Sequence, residues 1–88
     1  MPRISNFGGM TMVLYYNDHD PPHFHVFDAE FETRIEIKTG EYCKGDEPLP
    51  RSKERDLLRW LETWRDAILE AWNACRDEEV PSKIPPLY

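Results

Sequence analysis

From Ser52 to about Asp77 no proline or glycine interrupts the chain, and Leu57, Leu61, Trp64, Ile68, Trp72 and Cys75 recur at steps of three and four. That spacing predicts an amphipathic helix. Leu58, Trp60, Leu69 and Ala71 widen its apolar stripe, whereas Arg55, Arg59, Glu62, Asp66, Glu70 and Arg76 are left for solvent. At about 1.5–3 kcal/mol for each large apolar side chain buried, such a helix is the main source of core stability, and the rest of the chain must supply the surface that covers it. With 88 residues there is room for one core, so a single domain is expected over residues 1–88. Ser52 is a candidate N-cap. A helix of this length is long for so small a partner surface, which makes a bend near Thr63 to Asp66 an expected feature.

Upstream of the helix the period changes to two. Residues 2–9 alternate weakly through Ile4 and Phe7 and read as an edge strand or an ordered arm. Met10 to Tyr16, MTMVLYY, is apolar on both parities, as in a strand that is central or covered on both faces. Asn17 to Pro22 is a connection, because Asn and Asp favour turns and each proline lacks a ladder donor. HFHVFD and FETRIEI then alternate on either side of Ala29 and Glu30, which predicts a hairpin. If those two residues are the loop, Phe24 faces Ile35 and Val26 faces Thr33 on a core side, with His23 opposite Glu36, His25 opposite Arg34 and Phe27 opposite Glu32 on the other. A slip of one residue would carry Arg34 and Glu36 into the core. Thr39-Gly40-Glu41 predicts a turn and Glu41 to Lys44 a short strand, while the prolines of Val80 to Tyr88 end the helix and Ile84 and Leu87 suggest a tail packed on the body. The expected fold is α+β: a small, mainly antiparallel sheet of three or four strands over about 2–44, a loop at 45–51, one long helix over about 52–77 packed on one face, and a docked tail at 80–88.

Apolar residues at 40% suit a folded core, and a net charge of -6 disfavours sequence-independent binding to phosphate backbones while leaving room for a local basic patch. Cys43 and Cys75 lie far apart and in no close metal-ligand spacing, so they read as free thiols. Neither an apolar leader at Met1 to Phe7 nor a run of about 18 apolar residues is present, so a cytosolic protein without a membrane partner is expected. Asp77-Glu78-Glu79 reads as a solvated helix end.

The run Asp18-His19-Asp20-Pro21-Pro22-His23-Phe24-His25-Val26 holds all three histidines. It supports three chemical readings. In the first, His23 and His25 exchange protons while Arg34 and Glu36 supply a cation and a carboxylate, the residue types that metal-independent RNA cleavage needs. In the second, His23 and His25 present two imidazoles from one face of a strand to a transition metal such as zinc or nickel, with His19, Asp18 or Asp20 as a third ligand. An extended Asp20-Pro21-Pro22 segment would hold His19 roughly 12 Å from His23 at about 3.1 Å per residue, so the His19, His23, His25 set requires the loop to fold back. In the third, the polar face with Tyr15 and Phe27 docks a protein partner. The plain alternative gives Asp18 and His19 a turn-capping role and leaves the imidazoles satisfied by Glu36 and the tail. No other cofactor is expected.

The DHDPPHFHV run resembles the signature of the bacterial family called domain of unknown function 4160, a stretch of the form DHxPPHFHV. The resemblance extends to Pro2, Ile4, Ser5 and Phe7, to Leu49-Pro50 before the helix, to Trp60 and Trp72, and to the closing Lys83-Ile84-Pro85-x-Leu87. Gly9 and Ala29 depart from it. What the resemblance implies is a small cytosolic bacterial protein without an assigned activity, often encoded beside another small domain in toxin and antitoxin-like pairs. It therefore implies a regulatory or interaction module whose partner is the product of a neighbouring gene.

Overall fold

In the computed structural model, which describes residues 2–88, four strands pair antiparallel in sequence order: β1 (Arg3–Phe7), β2 (Met10–Val13), β3 (His23–Asp28) and β4 (Phe31–Glu36). Met1 lies outside the described residues. Gly8 and Gly9 turn β1 into β2 with φ of 59° and 80°, a left-handed pair that glycine adopts without a Cβ clash. At the β3–β4 turn Ala29 takes a φ of 56°, where an L-residue is disfavoured by about 1–2 kcal/mol. The strand pairing offsets that strain. His23 lies opposite Glu36, Phe24 opposite Ile35, His25 opposite Arg34 and Val26 opposite Thr33, as the two alternating runs predict.

Met10, Met12, Phe24, Val26 and Ile35 form the core side of the sheet, against Leu57, Trp60, Leu61, Ile68, Ala71 and Trp72 of α1 (Arg51–Arg76). The Trp60 ring stands 5.6 Å from Phe24 and 5.8 Å from Phe7, and its Nε1–H donates to Pro85 O at 2.8 Å. The tail is thereby tied to the helix. It is also tied to the sheet, since Ile84 N–H donates to Ile4 O at 2.7 Å.

The expected bend is present at Trp64, whose φ of -116° and ψ of 19° leave the helical region. Beside it, Thr63 Oγ1 donates to Arg59 O at 2.9 Å, a back-bond one turn away that bends helices. Both halves pack on the sheet, and the half beyond the bend also holds the β2–β3 connection: Asn17 N–H donates to Cys75 O at 3.0 Å, and Arg76 Nη1 meets Asp20 Oδ1 at 3.2 Å.

Three boundaries differ from the sequence expectation. β2 ends at Val13 instead of Tyr16: in the register of the Val13–His25 pair Tyr16 would face Pro22, which carries no N–H, and the chain turns away at Tyr16-Asn17, where Asn17 takes a φ of 55°. Glu41 to Lys44 forms one bridge, Ile35 to Tyr42, and not a strand; the segment is then drawn off by a turn in which Asp46 N–H donates to Cys43 O. Ser52 sits inside the first helical turn and cannot cap it. The N-cap position is Pro50, with no side-chain cap bond, and its carbonyl accepts from Glu54 N–H at 2.9 Å. Cys43 and Cys75 are free thiols.

Candidate metal centre

Pleating sends His23 and His25 to the side of β3 opposite Phe24 and Val26, but that side is not open at this end. His23 is 2% exposed and His25 8%. The loop from Asn17 to Pro22 folds back over them, the Trp72 ring lies 5.2 Å from His23, and Tyr15 stands edge-on 4.3 Å from His25. The histidine face is therefore closed here, by a loop whose direction the alternation of the strands does not encode.

The folded loop delivers a carboxylate. Asp18 Oδ2 lies 3.0 Å from His23 Nε2 and 3.5 Å from His25 Nε2, and the three side chains bring one ligand atom each within 4.8 Å of one another. Asp18 is half-buried and its other oxygen accepts from His19 N–H at 2.9 Å. Burial works to raise the Asp18 carboxyl, and the His19 N–H, followed by the neighbouring imidazoles in their protonated form, outweighs it, so the group lies below the usual carboxylate value and is ionised.

The remaining ring nitrogens are held from behind. His23 Nδ1 stands 2.8 Å from Pro21 O, a carbonyl that can only accept, so Nδ1 carries the proton. His25 Nδ1 stands 3.0 Å from Glu32 Oε2, and the same reasoning puts its proton on Nδ1. In the neutral imidazoles this leaves both Nε2 lone pairs directed at the Asp18 side. His25 Nε2 is buried and has no hydrogen-bond partner.

The other sequence candidates fall outside this cluster. The His19 side chain is 78% exposed; its Nδ1 meets Asp18 Oδ1 at 3.0 Å, and its ring centroid is 5.5 Å from that of His23. The loop does fold back, and it brings Asp18 inward in place of His19. Arg34 lies beside His25 in register, but its guanidinium is committed to Asp46, with Nε to Oδ2 at 2.9 Å and Nη2 to Oδ1 at 3.1 Å. Glu36 is opposite His23 and half-buried, and neither imidazole is bonded to it or to the tail. Asp20 pairs with Arg76 at the surface. Sequence reasoning missed Glu32 as the support of His25, because it considered residues directly opposite one another, and Glu32 is diagonal to His25 across the hairpin. It also missed the Pro21 carbonyl and the packing of Trp72 on His23, which depend on the loop and on the helix bend.

No helix among the described residues is long and apolar enough to cross a membrane. No curated protein and no solved structure matches the chain. A family model does match, over residues 9–73, which takes in the whole histidine run and most of the helix but neither the opening at Pro2 to Phe7 nor the closing Lys83 to Leu87. On that match the chain belongs to the family described as Domain of unknown function (DUF4160).

Proposed function

We propose that this protein binds a first-row divalent metal ion through Asp18, His23 and His25. The observation that carries the reading is the shared orientation of the two imidazoles: each donates from Nδ1 to an acceptor behind it and turns its Nε2 toward one carboxylate oxygen, with the His25 Nε2 buried and unpartnered. Two lone pairs facing a carboxylate repel it unless a proton or a metal ion lies between them, and a metal ion meets both nitrogens and the carboxylate at once. The spacing suits a metal ion. Ligand atoms about 2.1 Å from one ion stand about 3.0 Å apart at a right angle and about 3.4 Å apart at the tetrahedral angle; the separations from Asp18 Oδ2 are 3.0 and 3.5 Å.

The donor set of two imidazoles and one carboxylate suits zinc, nickel, cobalt or iron(II) better than calcium or magnesium, which take oxygen ligands. Glu32 and the Pro21 carbonyl act as supports that fix ring direction and tautomer, the usual partners of ligating histidines. Three protein ligands leave at least one position for water or another molecule, so an ion held here would be available as a Lewis acid.

Untagged protein freed of metal by a chelator tests this. Titration with cobalt(II), followed by its visible absorption, and with zinc by calorimetry should give one ion per chain. His19→Ala should bind like wild type, Glu32→Gln should lose about ten- to a hundredfold in affinity, and His23→Ala or Asp18→Ala should lose more than that. Absence of saturable binding up to about 0.1 mM free metal, or equal loss in His19→Ala and His23→Ala, would sink the proposal.

A further inference from the structure

The outward face of the sheet carries a second feature beside the histidine cluster. One cross-strand row runs Arg3, Val13, His25, Arg34 over all four strands, and the next contains Thr11, Phe27 and Glu32. The two arginines of the first row differ in their surroundings. Arg34 is neutralised by Asp46. Arg3 is exposed and, among the described residues, in no ion pair; the same holds for Lys83, which the tail places beside β1 through the Ile84 to Ile4 hydrogen bond.

Between these two cations opens a groove of about 420 Å³ lined by Arg3, Thr11, Val13, Phe27 and Lys83. That volume is within the range of small-molecule sites, about 300–1,000 Å³. Its composition is divided: cationic ends on one side, and an apolar floor of Val13 and Phe27 with the Thr11 hydroxyl on the other. In a chain of net charge -6, two cations left without carboxylates around one groove are a local reversal of sign. Their mutual repulsion is relieved by an anion between them, and a planar carboxylate matches the fork of an arginine.

We propose that this groove binds a small organic carboxylate with an apolar body, the carboxylate held by Arg3 and Lys83 and the body lying on Val13 and Phe27. The floor is continuous with the histidine cluster, since Val13 is the cross-strand partner of His25 and Phe27 follows it two residues along β3. A molecule seated there lies next to His25. The groove uses none of the three metal-ligating side chains, so the site does not depend on metal.

The test uses the isotope-labelled, metal-free full chain, titrated in an NMR experiment with 3-phenylpropionate and, in parallel, with its uncharged amide. The acid should shift the amides of Thr11, Val13 and Phe27 saturably with a Kd of about 1 mM, and 3-phenylpropionamide should bind at least about tenfold more weakly. The Arg3→Gln, Lys83→Gln double variant should lose about tenfold for the acid, and added salt should weaken binding to wild type. Both side chains are exposed, and unchanged signals outside the groove verify that the variant is folded. Absence of saturable shifts, equal binding of acid and amide, or undiminished binding by the double variant overturns the proposal. Because metal is absent throughout, these outcomes are separate from those of the metal titration.

Discussion

Phe24 and Val26 on one side of β3 and His23 and His25 on the other are all nearly closed to solvent, at 0%, 0%, 2% and 8% exposure. The apolar pair is buried by contact with the helix, which releases apolar surface from water and stabilises the fold directly. The histidine pair is buried under a short loop, a half-buried carboxylate and two aromatic rings, and burying polar nitrogens costs free energy wherever a partner is missing. His25 Nε2 is such a case. Equal burial therefore means different things on the two faces: on one it is the driving force of folding, and on the other it is a polar arrangement that folding maintains against a cost. Natural chains keep such arrangements where chemistry or binding uses them, as the metal proposal requires.

The comparison can be broken by substitutions of matched severity. Phe24→Ala should destabilise the metal-free protein by about 3–5 kcal/mol, because it opens a cavity beneath Trp60. His25→Ala in the same state should cost about 1 kcal/mol or less, since it removes a buried nitrogen that lacks a partner and leaves Glu32 free to turn to solvent. Urea unfolding measures both. If His25→Ala costs as much as Phe24→Ala without metal, the imidazole is a structural element and the distinction between the faces fails.

A smaller effect separates polar groups that are fully satisfied from those that are not. Tyr42 Oη donates to Glu54 Oε2 and accepts from Leu49 N–H at 3.0 Å, joining the segment after β4 to the helix start. Burial, followed by the Glu54 hydrogen bond, pushes its phenol up to about 12 from an ordinary value near 10. A raised pKa in the fold means that the stabilisation is fully present below pH 10 and lost as pH rises from about 10 to about 12. Tyr42→Phe should cost about 1–2 kcal/mol at neutral pH and progressively less as the pH passes through that window, as read from thermal unfolding at a series of pH values.

The smallest expected effect concerns Asp46. The Arg34 hydrogen bond holds its carboxyl below the usual carboxylate range, so its contribution is present above about pH 4 and disappears as pH falls through the lower value it has in the fold. Both partners are partly open to solvent, and screening limits the pair to about 1 kcal/mol. Asp46→Asn should lower the unfolding midpoint slightly at pH 7, and the difference should vanish in strong acid. A difference that grew in acid would reverse the sign argued here.

The readable parts of this molecule were those with a period. Alternation in HFHVFD and FETRIEI set the hairpin register, and a one-residue slip was excluded because it would bury Arg34 and Glu36. Uninterrupted three-and-four spacing set the helix, and its excess length over the sheet made the bend at Trp64 foreseeable. What lacked a period was read less well. Strand ends at Val13 and near Tyr42 depend on where the following turns draw the chain away, and the helix cap depends on where Pro50 sits, not on the nearest serine.

The candidate site divides along the same line. By itself the sequence determined that His23 and His25 share a face, because residues two apart on a strand must, and it named Asp18 among several possible third ligands. Only the tertiary structure set Asp18 and not His19 between the two imidazoles, drew Arg34 away to Asp46 and set Glu32 behind His25. Those choices depend on how the loop from Asn17 to Pro22 folds back, and on a helix bent far enough for its last turns to hold that loop. The course of the loop is not encoded in a local pattern, because the contacts that fix it come from Cys75 and Arg76, some fifty residues further along the chain.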